Sequence, residues 1–239
     1  MKQIVPLFKR EFFGYFRSPI AYVFLIVFLV VSSGLTFYLG QFFESRVASL
    51  ETFFNLQPWI YTFFIAAVGM RLWSEERRSG TWELLLTLPI RTGEAVMGKF
   101  LAGWAFITLG IALTFPLLLT VAYLGDPDWG PLWTGYMGSM LMAGSFLAVC
   151  SFTSAITKNQ VISFVISVVI NLGLVFLGWS VFTDLLSFLP LAWVDGLSNF
   201  SYTTHFVSFT RGLIVFKDLV FFLSLTFFSL LLTVIILEH

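Results

Sequence analysis

Six stretches of this chain, 20–39, 52–70, 100–124, 132–156, 161–182 and 219–237, are apolar for long enough to cross a bilayer, and none contains Asp, Glu, Lys, Arg or His. A hydrocarbon core of about 30 Å needs roughly 20 such residues as a helix. The runs are continuously apolar, without the period-two alternation of barrel strands, so the backbone must satisfy its hydrogen bonds as helix. Water is the wrong solvent for this sequence: 58% of its 239 residues are hydrophobic and only 11% are charged, against about 25% charged in a soluble domain. The reading is an all-α membrane protein with six transmembrane helices in a single domain over 1–239, leaving no length for a soluble catalytic domain. Pro58 would bend or shorten the second run, and Pro116 would kink the third.

Orientation follows from the Lys and Arg content of short loops. With the N-terminus inside, Lys2, Lys9, Arg10, Arg17, Arg71, Arg77, Arg78, Arg91, Lys99 and Lys158 are cytoplasmic, leaving Arg46, Arg211 and Lys217 outside. Both termini are then cytoplasmic. Ahead of the first run, 1–18 places Ile4, Leu7, Phe8, Phe12, Tyr15 and Phe16 on one helical face and Lys2, Lys9, Arg10 and Arg17 on the other, the pattern of an amphipathic interfacial helix. Val31 and Ser33 before Gly34 suit a signal-peptide cleavage site, but five further runs and a long positive flank argue for a retained span. Between the last two runs, 183–218 is neither linker nor span. It mixes Phe200, Tyr202, Phe206 and Phe209 with Ser, Thr, His205 and Arg211, and reads either as short outer helices dipping into the outer leaflet or as an ordinary amphipathic outer loop.

The chemistry that is absent narrows function. A proton- or ion-coupled transporter keeps an ionisable group inside the membrane despite a cost of at least ~2.5 kcal/mol; here the most polar residue deep in a run is Asn171. The chain has no phosphate-binding G-x-x-x-x-G-K-[ST] loop. Its single Cys150 forms no disulfide framework, and two isolated histidines make no metal site. Nothing points to nucleic acid. Gly144-Ser145 and His205 hint at an intramembrane serine protease, yet Ser145 lacks the surrounding motif. Ala143, Gly144, Ser145 and Ala148 are explained more simply as a close-packing helix face.

Charge concentrates instead at 74–99, where EERRSGTWELLLTLPI follows the second run. Ser79-Gly80 ends or bends the helix, and 81–88 predicts two helical turns with Glu83 near their positive end and Pro89 as a stop. Trp82, Leu85 and Leu86 share a face. Such a helix is too short to span and too apolar for water, so it lies at the interface or is gripped by another protein.

This pattern resembles the coupling loop of type 2 ATP-binding-cassette (ABC) exporter permeases. The resemblance extends over nearly the whole chain, from the amphipathic start with Arg17-Ser18-Pro19 to Phe209-Thr210-Arg211-Gly212 before the last run. Within that family the chain is most similar to gliding-motility-type permeases. The resemblance implies a noncatalytic permease in the bacterial cytoplasmic (inner) membrane. It would carry no cofactor of its own, with ATP and Mg bound by separate cytoplasmic ATPase subunits. It further implies a second permease chain, identical or homologous, and leaves room for an auxiliary subunit. Glu75, Glu76, Arg77, Gly80, Thr81, Glu83, Leu84 and Leu85 would contact the ATPase. An N-terminal helix bearing Phe8, Lys9, Arg10, Phe12 and Arg17 would complete the cradle among membrane lipids. A membrane anchor that docks an ATPase but transports nothing would use the same loop.

Overall fold

The computed structural model describes residues 4–39, 49–80, 91–179, 181–182 and 190–238, without the side chains of 191, 192 and 195. Among these residues the elements are helices: α1 (Ile4–Arg17), α2 (Pro19–Leu39), α3 (Glu51–Gly69), α4 (Ser74–Ser79), α5 (Thr92–Ala112), α6 (Phe115–Leu124), α7 (Trp129–Ile156), α8 (Gln160–Phe176), α9 (Leu191–Ser198), α10 (Tyr202–Thr210) and α11 (Phe216–Glu238). Five segments are long and apolar enough to cross a membrane, namely α2, α3 with α4, α5 with α6, α7, and α11. The short helix expected over 81–88 lies outside the described residues, as do Thr81, Glu83, Leu84 and Leu85.

Two apolar runs differ from their expected form. The run 100–124 is two helices, because Pro116 has no N–H for the carbonyl four residues earlier and α5 stops at Ala112. Thr114 Oγ1 fills the break by donating to Ile111 O at 2.6 Å, and it also lies 3.0 Å from Tyr136 Oη. Pro58, by contrast, leaves α3 continuous. The run 161–182 is helical as α8 only to Phe176, about 25 Å at 1.5 Å per residue. At its end Val175 O accepts from Ser201 Oγ, the N-cap of α10, and from Thr203 Oγ1 in its first turn.

The long α7 is the hub. It packs on α3, α5, α8, α10 and α11, and Ala143, Gly144, Ser145 and Ala148 are all buried along it. Small side chains let helix backbones approach closely where lipid gives no hydrophobic drive between helices. At Gly69 the approach is close enough that a Cβ would lie 2.4 Å from that of Cys150.

The amphipathic α1 lies against α5. Leu7 is buried, Tyr15 stacks on Phe106 with ring centroids 4.8 Å apart, and Phe8 stacks on Phe12 at 5.7 Å. Lys9, Arg10 and Arg17 remain exposed. The start and end of the described chain share one end of the bundle, where Ile4 and Glu238 line a recess with Arg91 and Glu94. Leu50, Asp128, Pro131 and Arg211 surround a second recess at the opposite end.

Candidate functional site

The turn Met70–Trp73 joins α3 to α4 and leaves helix-terminal carbonyls and N–H groups without intrahelical partners. Side chains from other helices supply them. Ser154, on the last turns of α7, uses its whole hydrogen-bonding capacity here: its Oγ accepts from Trp73 N and Ser74 N and donates to Met70 O, each at 3.0 Å. One helical turn earlier, Ser151 Oγ accepts from Trp73 Nε1 at 3.0 Å. Arg77 Nη1 donates to Ala155 O, so α4 is tied to α7 at three successive levels.

The second anchor is Lys99 on α5. Its side chain is buried, and a buried ammonium is tolerated only when its charge and its N–H groups are matched. Its Nζ lies 2.5 Å from Glu76 Oε1, donates to Leu72 O at 2.9 Å and sits 4.7 Å above the ring of Trp73. Trp73 itself is fully buried. A helix of six residues is thereby fixed to two different membrane helices, α5 and α7. Gly80 then ends α4 with φ 71°, a left-handed conformation that favours glycine.

The residues picked out from sequence divide into two sets. Glu76 and Arg77 turn inward and hold α4 in place; Glu76 Oε2 is buried with no hydrogen-bond partner among the described residues. Glu75, Arg78 and Gly80 are exposed. Glu75 lines a crevice that also receives Glu11 and Tyr15 of α1. Burial, with the nearby Glu11 charge, holds the Tyr15 phenol well above its usual titration range, so it stays neutral.

Sequence reasoning missed Lys99, Trp73, Ser151 and Ser154. From sequence Lys99 reads as a loop charge that reports orientation, yet it directly precedes an apolar run and the helix starts seven residues earlier, at Thr92. Asp218 repeats the pattern just before the last run. It is buried at the start of α11, with its Oδ1 2.7 Å from His205 Nδ1. His205 Nε2 lies 2.9 Å from Asn199 O, and its ring stacks on Phe221 at 4.1 Å. This second cluster fastens α10 to α11. Ser145 Oγ donates to Met142 O at 2.8 Å, while both His205 nitrogens are engaged elsewhere, so this geometry assembles no nucleophile and base. Among the described residues no group of three His, Cys, Asp or Glu could hold a metal ion.

Residues 7–177 match the sequence profile of a family described as ABC-2 family transporter protein. A search of curated proteins gives no match.

Proposed function

Because the chain belongs to the ABC-2 transporter family, and so is a membrane permease subunit that works with an ATP-binding partner, we propose that it couples ATP hydrolysis on that partner to export through the loop rooted in α4. In this reading the loop after Gly80, with Thr81, Glu83, Leu84 and Leu85, seats in a groove of the ATPase. Glu76 and Arg77 connect that loop to the bundle, while Glu75 stays exposed beside them. When ATP draws the two ATPase subunits together, the force enters at α4 and passes to α5 through Lys99 and to α7 through Ser151 and Ser154. The permease performs no hydrolysis; ATP and Mg belong to the partner.

The observation that carries this reading is the cross-helix anchoring of α4. A loop that only turned between spans would have no need of buried hydrogen bonds to two other helices. A noncoupling anchor is the competing function, and it has no use for that rigidity either.

The topology we infer is six crossings, with α8 completing its span together with the capping α10. The common end of Ile4 and Glu238 supports an even number of crossings. In that topology ten of the thirteen Lys and Arg residues of the sequence belong to the segments on the side of α1 and α4, which supports a cytoplasmic assignment for it. Pairing of two permease chains in the inner membrane completes the assembly.

The test is reconstitution of the permease with its ATP-binding subunit in liposomes. Glu83→Lys and Leu85→Asp should each abolish stimulation of ATP hydrolysis by the permease and weaken co-purification. Wild-type binding and stimulation in both variants would remove the docking role. Permease that binds the ATPase without altering its hydrolysis in any reconstituted state would favour the anchor.

A further inference from the structure

Two neighbouring cavities share Phe24 and Ala67 in their linings and differ in chemistry. The first, about 310 Å³, lies among α1, the start of α2, the end of α3 and α5, and is lined by charged groups including Arg71, Glu75 and Lys99 as well as by Phe24 and Ala67. The second, about 390 Å³, runs between α2 and α3 and is almost wholly apolar. It also begins at Phe24 and Ala67, and it continues past Phe28 and Val31 to Leu35. From Phe24 to Leu35 is eleven residues, about 16 Å of helix, which is roughly the depth of one leaflet of a 30 Å core.

The charges in the first cavity are not all matched. Lys99 is committed to Glu76, and Glu11 to Arg10 at 2.7 Å. Arg71 and Glu75 enter no ion pair among the described residues, and Arg71 Nε is buried without a hydrogen-bond partner. A buried guanidinium nitrogen with no acceptor is costly unless a ligand supplies one. The first cavity therefore offers a half-buried cation whose Nε lacks an acceptor and an exposed carboxylate outside any ion pair among the described residues, beside an apolar slot one leaflet long.

We propose that these adjoining cavities together bind one phospholipid with a phosphate–ammonium headgroup, of the phosphatidylethanolamine type. Its phosphate accepts hydrogen bonds from Arg71, and its ammonium donates to Glu75. One acyl chain occupies the slot between α2 and α3. An anionic lipid lacking the ammonium leaves Glu75 facing a like charge and is disfavoured. The site sits beside the root of α4, so the lipid would be a fixed component of the end of the permease that receives force. The proposal does not depend on ATPase docking, and its test contains no ATPase.

The full chain is reconstituted into bilayer nanodiscs with phosphatidylethanolamine carrying a photoreactive diazirine on one acyl chain. Crosslinked peptides are then mapped by mass spectrometry. Label is expected on the α2 and α3 segments that line the slot. Excess unlabelled phosphatidylethanolamine should compete for the site and phosphatidylglycerol should not. Arg71→Gln and Glu75→Gln should each lower labelling roughly tenfold, the scale of one lost charge-assisted hydrogen bond. Ala67→Phe, which narrows the junction without touching charge, should lower it too, and a monodisperse elution profile verifies that each variant is folded. Equal competition by the two lipids, undiminished labelling in both charge variants, or label confined to other helices would overturn the proposal. So would efficient disulfide linkage of Phe63→Cys chains in the bilayer, which would show that a second copy covers the slot.

Discussion

The two ends of the bundle bury charge for different purposes. At the α4 end, Lys99, 5% exposed, meets Glu76, and the surrounding hydrogen bonds join residues 27, 78, 80 and 81 positions apart in sequence. At the other end His205, 2% exposed, meets Asp218 over 13 positions and Asn199 over six. A cluster of short sequence span pins a local excursion to its neighbour. A cluster of long span ties three separate helices together, and that is the arrangement the proposed coupling calls for.

The contrast is broken most severely at the local end. Asp218→Ala leaves the buried His205 Nδ1 without its hydrogen-bond partner and opens a cavity beside it, and should cost about 3–4 kcal/mol, read as a lower Tm in detergent. Protein that still folds should stimulate ATP hydrolysis as the wild type does. Lys99→Met strands Glu76 and the Leu72 carbonyl and should cost less, about 3 kcal/mol, because the Glu76 side chain is 20% exposed. Unlike Asp218→Ala, it should uncouple hydrolysis from transport. Equal functional loss in the two variants would erase the distinction between the ends.

Smaller changes sharpen it. Ser154→Ala removes three hydrogen bonds and should cost about 2 kcal/mol, again with uncoupling. Gly69→Ala drives a Cβ into Cys150 and should cost about 1–2 kcal/mol. Adding Cys150→Gly should restore the Tm. Arg78→Ala, an exposed change on the same helix, should leave the Tm unaltered, so any effect of it on ATPase binding reports docking alone.

Helical class, the amphipathic α1 and the interruption near Pro116 were legible because each is a local pattern: continuous apolarity, a 3.6-residue period and a missing N–H. The small-residue face of α7 was legible for the same reason. The α4 anchor was not, since Ser151 and Ser154 look like any serines in an apolar helix, and their partners lie near residue 73. Lys99 and Asp218 carried a faint signal, each charge abutting an apolar run. Counting loop charges for orientation assigns such residues to water, whereas a helix that starts earlier than its apolar run carries them inside. The end of α8 was likewise set by a distant contact, the Ser201 and Thr203 hydroxyls on Val175 O.

The central claim is that α4 and the end of α7 move as a unit when ATP acts. Spin labels at Arg78→Cys and Ile156→Cys, both exposed positions, report their separation by pulsed electron resonance in the complex with the ATP-binding subunit; the native Cys150 is buried and escapes labelling. The separation should be the same in nucleotide-free and ATP-trapped states, and should broaden on ATP binding once Ser154→Ala and Lys99→Met are both introduced. A wild-type separation that changes with ATP would show α4 moving independently of α7, and would contradict transmission through this anchor.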